Sequence, residues 1–245
     1  MVFSTIMLAA AAPAGFDLPR PNGPYPVGTR SMVLVDAQRH RDIPLTIWYP
    51  STAGKSAPAP YMDAKTAAAL AAEWELTSGF ERQVRTHATV KAPIAEGGPF
   101  PIVLLEHGSS LAADQDGRIV AGVNIDGSTF PGMNGDVRPV VVDKPYLFLM
   151  TEEHARDPGT HGREFTGMPS NSYYVAVAGA DHMSFTDTHL IDSRFSRKTR
   201  PDDGAFAQAL LTTELTRSLV EEFLGKYLKG ESAPYLDLGA RVDKK

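Results

Sequence analysis

Tyr146-Leu147-Phe148-Leu149-Met150 (YLFLM) is five apolar residues in a row, and its reading decides the fold. A strand with one wet face alternates apolar and polar residues. An unbroken apolar run is the mark of a strand covered on both faces, as in a parallel sheet between helices. Three other stretches read the same way: Pro101–Glu106 (PIVLLE), Arg118–Asn124 (RIVAGVN) and Tyr173–Val177 (YYVAV). Near the start, Arg30–Val35 (RSMVLV) and Ile43–Tyr49 (IPLTIWY) flank a polar turn at Asp36–Asp42, which predicts an antiparallel hairpin. Pro19–Pro26 (PRPNGPYP) is an extended arm, because its prolines forbid helix. Asp63–Leu76 reads as a helix with Asp63 as N-cap. It is expected to pack on the sheet, with contact between Trp74, Leu70 and a lipid surface as the alternative. Ala205–Leu228 is a long amphipathic helix that Gly230 stops. The expected architecture is α/β, a mostly parallel sheet with an N-terminal antiparallel hairpin, in a single domain over residues 15–245.

The composition narrows the function classes. The chain has 245 residues, 42% hydrophobic and 22% charged, an ordinary globular balance. A net charge of −5 provides no basic face, so nucleic acid is not an expected partner. The absence of cysteine excludes disulfides and thiolate metal sites. No apolar run is long enough to span a membrane. Residues 1–14 (MVFSTIMLAAAAPA) resemble the end of a secretory signal without its basic start, which points to a secreted or periplasmic protein, with a cytoplasmic one as the alternative.

In parallel sheets the chemistry gathers at the C-terminal ends of the strands. After Pro101–Glu106 comes His107-Gly108-Ser109-Ser110, a turn that can aim a backbone N–H at an oxyanion, here from Ser109, or else an ordinary turn. After Arg118–Asn124 comes Ile125-Asp126-Gly127. Alone, Asp126-Gly127 reads as an ordinary turn pair. After Tyr173–Val177 comes a short loop with His182, a residue suited to general-base work, or else a structural histidine satisfied by Asp181. Asp126 and His182 gain weight together, because each follows a strand, with the acid before the histidine. The serine elbow G-x-S-x-G is missing. Ser56, Ser128, Ser170 and Ser184 all lack the flanking glycines. The acidic and histidine clusters around Asp181–Asp192 and Glu152–His161 match no metal-ligand spacing and read as solvated loop residues, so no metal or other cofactor is expected.

Seven short stretches, in order, resemble the α/β-hydrolase family of platelet-activating factor acetylhydrolases of the plasma type, in a secreted bacterial form. They are Gly23–Arg30 (GPYPVGTR), Leu45–Pro50 (LTIWYP), Val84–Ala88 (VRTHA), Phe100–Gly108 (FPIVLLEHG), Ile119–Gly127 (IVAGVNIDG), Lys144–Thr151 (KPYLFLMT) and Gly179–Phe185 (GADHMSF). The resemblance implies a carboxylic-ester hydrolase acting on small or lipid esters. It puts the catalytic acid on Asp126, the histidine on His182 and the oxyanion donor on Ser109. It also implies a departure. Ser110 runs directly into Leu111, where the family has two more βα units and its nucleophilic serine. The expectation is therefore an impaired esterase, or the same fold used for binding. Ser109 or Ser110 as a replacement nucleophile is a further alternative. The strands on either side of the excision would have to become neighbours, leaving apolar surface exposed.

Overall fold

A computed structural model describes residues 15–52, 57–104, 117–127, 144–156 and 169–239. The signal-like residues 1–14 and the His107–Ser110 turn, with Ser109, lie outside the described residues. So do the segment 111–115 and His161. The chain divides into two compact units, each taken here by itself. One is built from the chain up to Phe100 together with Ile191–Asp203. The other is built from Pro101–Leu190 together with the residues from Gly204 onward.

The first unit begins with the short strand β1 (Phe16–Asp17), and the predicted hairpin is present as β2 (Val27–Asp36) and β3 (Arg41–Pro50). The two hairpin strands pair antiparallel along their whole length, from Val27↔Pro50 to Asp36↔Arg41. The turn between them is fastened by Asp36, whose carboxylate accepts from the Arg39 backbone N–H at 3.1 Å and from its guanidinium at 3.0 Å. The helix α1 (Ala64–Glu73) begins where Asp63 accepts from the Lys65 and Thr66 N–H groups, as its sequence predicts. It buries Ala67 and Ala71, while Trp74 closes it. Then come β4 (Val84–Arg85), parallel to β1, and β5 (Ala88–Val90), parallel to the base of β2. Only Val27–Thr29 of the hairpin gains this third strand. Among the described residues the outer part has no third strand, and Val33, Leu34 and Val35 there, like Trp48 opposite Thr29, are exposed. Phe16, Phe80 and Phe195 form the aromatic centre of this unit, with ring centroids about 6 Å apart.

The second unit is organised around β7 (Tyr146–Thr151), which contains the apolar run YLFLM. Its six residues are all buried. It lies between β6 (Gly122–Ile125) and β8 (Tyr173–Val177), parallel to both. Leu147 and Leu149 point to one face and pack with Leu219, Phe223 and Leu236. Tyr146, Phe148 and Met150 form the other face. The short helix α2 (Glu152–Arg156) follows β7 directly. The helix α3 (Thr188–Phe195) follows the β8 loop and passes at Ile191 into the residues of the first unit, and α4 (Asp203–Lys229) carries Leu219 and Phe223. Gly230, at φ 72°, turns the chain in a conformation that a side chain would oppose, and α5 (Pro234–Gly239) brings Leu236 back to the same cluster. Across β6 and β7, Gly122 sits opposite Tyr146, and its missing side chain makes room for that ring.

Two expectations are corrected. Pro101–Leu104, read as a buried strand, is exposed irregular chain, with Ile102 82% and Leu104 78% exposed. An apolar run becomes a strand only where a neighbour supplies a hydrogen-bond ladder, and no described residue does so here. The strand predicted over Arg118–Asn124 is confined to β6, and Val120 is half exposed. The described strands therefore form three small sheets. They are parallel throughout except for the hairpin, and the pairing expected between strands on either side of Ser110–Leu111 is not found among the described residues.

Candidate functional site

β6, β7 and β8 are adjacent and parallel, so their C-terminal ends open on the same edge of the sheet. Strand spacing of about 4.8 Å puts side chains just beyond those ends within mutual reach. Asp126 follows β6, Thr151 ends β7, His154 lies in α2 just beyond it, and His182 follows β8 after a four-residue loop.

Asp126 is 1% exposed. Its backbone N–H donates to the Leu149 carbonyl at 2.7 Å, continuing the ladder, while its φ of 49° turns the chain into the left-handed region. Aspartate tolerates that region better than most residues. Asn124 secures the turn, accepting from the Gly127 N–H at 2.8 Å and donating to the Gly127 carbonyl at 3.2 Å. The carboxylate is thereby pointed back over the strand ends.

His182 is positioned by a second device. Gly179, at φ 70°, turns the chain away from β8. Asp181 then caps the single helical turn His182–Phe185, accepting from the Ser184 N–H and hydroxyl, both at 2.9 Å. Asp181 also accepts from His189 Nε2 at 2.8 Å. The structural alternative for His182, satisfaction by Asp181, is thus not what forms. The Asp181 carboxylate serves Ser184 and His189, and His182 reaches across to Asp126.

The geometry at Asp126 is a fork. His182 Nδ1–H donates to Oδ2 at 2.8 Å. His154 Nδ1–H donates to Oδ1 at 2.7 Å, and the Thr151 backbone N–H donates to the same oxygen at 2.9 Å. Burial pushes the Asp126 pKa up. The Thr151 N–H and the His182 and His154 donors more than reverse this, leaving the carboxyl below its usual range. It is therefore ionised near neutrality and can only accept, so both rings carry their proton on Nδ1. A neutral ring then presents a lone pair at Nε2, the form a general base needs. The side chain of His182 is 65% exposed, so that atom is open to a reactant.

Of the residues singled out from sequence, Asp126 and His182 are brought together. Ser109 and Ser110 lie outside the described residues. Sequence reasoning missed His154, which looked like one member of a solvated acidic cluster. The available signal was its place three residues past the end of a buried parallel strand. Among the described residues, no group of three or more His, Asp or Glu side chains is arranged to hold a metal ion, and no helix is long and apolar enough to cross a membrane.

No family model matches the chain, and no curated protein matches it by sequence. Its structure does have a match. A ferulic acid esterase from Streptomyces cinnamoneus superposes with a TM-score of 0.71 at 19% identity, covering 94% of this chain and 97% of that one. The chain shares that protein's fold. At this identity the likeness establishes the fold alone, a mixed α/β architecture that agrees with the mostly parallel strands.

Proposed function

We propose that the chain is a carboxylic-ester hydrolase in which His182 is the general base and Asp126 its orienting acid. The observation that carries this is the 2.8 Å hydrogen bond from His182 Nδ1 to buried Asp126, made beyond the ends of β8 and β6, the two strands that flank β7, within an esterase's fold. Nε2 of His182 takes the proton from an attacking O–H as the new O–C bond forms at the ester carbonyl. It returns that proton to the departing alkoxide as the old bond breaks. The sequence resemblance to platelet-activating factor acetylhydrolases favours short acyl esters of small molecules or lipids. It also assigns Ser109 as the oxyanion donor.

The same resemblance places an internal excision between Ser110 and Leu111, taking the nucleophilic serine with it. Water is then the attacking group, and turnover is low. Loss of a triad serine elsewhere leaves a residual acceleration on the order of 10³–10⁴. Hydrolysis of p-nitrophenyl butyrate tests the proposal. The expected result is weak saturable turnover, reduced by about tenfold or more in His182→Ala, without serine labelling by a fluorophosphonate. Labelling that requires His182 would show an activated serine after all. A second reading, ester binding without turnover, is favoured by the absent G-x-S-x-G. It predicts a folded chain whose hydrolysis equals that of His182→Ala.

A further inference from the structure

A carboxylate that orients a catalytic histidine needs one imidazole, and Asp126 has two. We propose that His154 is a positioning residue: it fixes the Asp126 carboxylate so that Oδ2 alone, in one orientation, faces His182. This rests on the reading of Asp126 and His182 as an acid–base pair and extends it to a residue neither the spacing nor the resemblance marked.

The argument is one of saturation and closure. Oδ1 accepts two hydrogen bonds, from the Thr151 N–H at 2.9 Å and from His154 Nδ1 at 2.7 Å. Two is the ordinary capacity of a carboxylate oxygen. The His154 backbone N–H in turn donates to Thr151 Oγ1 at 3.2 Å. Asp126, Thr151 and His154 therefore form a closed ring of hydrogen bonds at the β7–α2 junction. Rotating the carboxylate breaks both bonds at Oδ1 in a nearly water-free position, where an unmet donor is expensive. Oδ2 is left to His182. Without His154, Oδ1 keeps only the Thr151 N–H. The carboxylate then gains freedom about its last torsion, which is broad for aspartate. His182, largely exposed and with its ring held at Nδ1 by this bond, follows that motion.

The test is nuclear magnetic resonance of the full chain labelled with ¹⁵N, followed through the imidazole Nδ1 protons without any ester present. In the wild type, His182 shows the Nδ1–H form with a proton that exchanges slowly with water. In His154→Phe that proton exchanges faster by about tenfold or more, the loss expected for one charge-assisted hydrogen bond. His154→Asn places an amide donor where Nδ1 was and restores slow exchange. His154→Gln places its donor one bond farther out and does not. The Asn and Gln pair keeps the test decisive if the Phe variant fails to fold, since both are polar and tolerated in a short helix with no fully buried residue. Slow exchange of the His182 proton in folded His154→Phe, or equal behaviour of Asn and Gln, overturns the proposal. An absence of His182-dependent ester hydrolysis would instead count against the ester reading, because the exchange measurement needs no turnover.

Discussion

Asp126 holds one negative charge inside the protein against three donors, and its effect on stability has a definite sign. Its pKa is below the usual range in the folded chain. The stabilisation it gives is therefore complete above the unfolded value, about 4, and is lost as pH falls through the lower folded value. Asp126→Asn puts an amide where an ion met two imidazoles and should cost about 2–4 kcal/mol near pH 7. Urea unfolding at a series of pH values checks this, with the gap between wild type and variant closing below about pH 4. An unchanged gap at low pH would mean that the charge is not the source. Asp126 and His182 were legible in the sequence because each follows an apolar run, the one pattern that marks a strand end. His154 was not, since its role depends on which way the first turn of α2 faces. Five residues of helix leave no periodicity from which to read that direction.

Elements were legible in proportion to how local their causes are. The hairpin and α1 are written in adjacent residues, namely the polar turn at Asp36–Asp42 and the Asp63 cap. β7 was legible because its apolar run ends up between two neighbours, and β8 because its run finds β7 as a ladder partner. Pro101–Leu104 has an equally apolar sequence and is not a strand, because a ladder partner is a property of the rest of the chain. The pairing of β6 with β7 makes its own prediction. Gly122→Ala would drive a methyl group into the buried Tyr146 ring, which belongs to the tightly packed face of β7. A thermal or urea melt should show a loss of about 1–3 kcal/mol, with the fold retained. A neutral outcome would show that the β6–β7 register is looser than the Gly122↔Tyr146 pairing implies.

On the scale of the whole molecule, the architecture could be read from a few buried runs and exposed apolar surface was expected beside Ser110–Leu111, but not its extension onto the hairpin. Val33, Leu34, Val35 and Trp48 of the hairpin are exposed in one unit, and Ile102 and Leu104 in the other. Folded chain should accordingly enhance the fluorescence of a hydrophobic dye and aggregate as its concentration rises. A sharp cooperative melt without dye binding would contradict this. The central claim, that Asp126 and His182 act as one acid–base unit on esters, is tested most directly by a double-mutant cycle on kcat/KM for p-nitrophenyl butyrate. Groups that act as a unit are strongly non-additive. Asp126→Asn and His182→Ala should each lower kcat/KM, and the double variant should fall no further than His182→Ala alone, to within about twofold. Losses that simply add, or a His182→Ala variant as active as the wild type, would contradict the account.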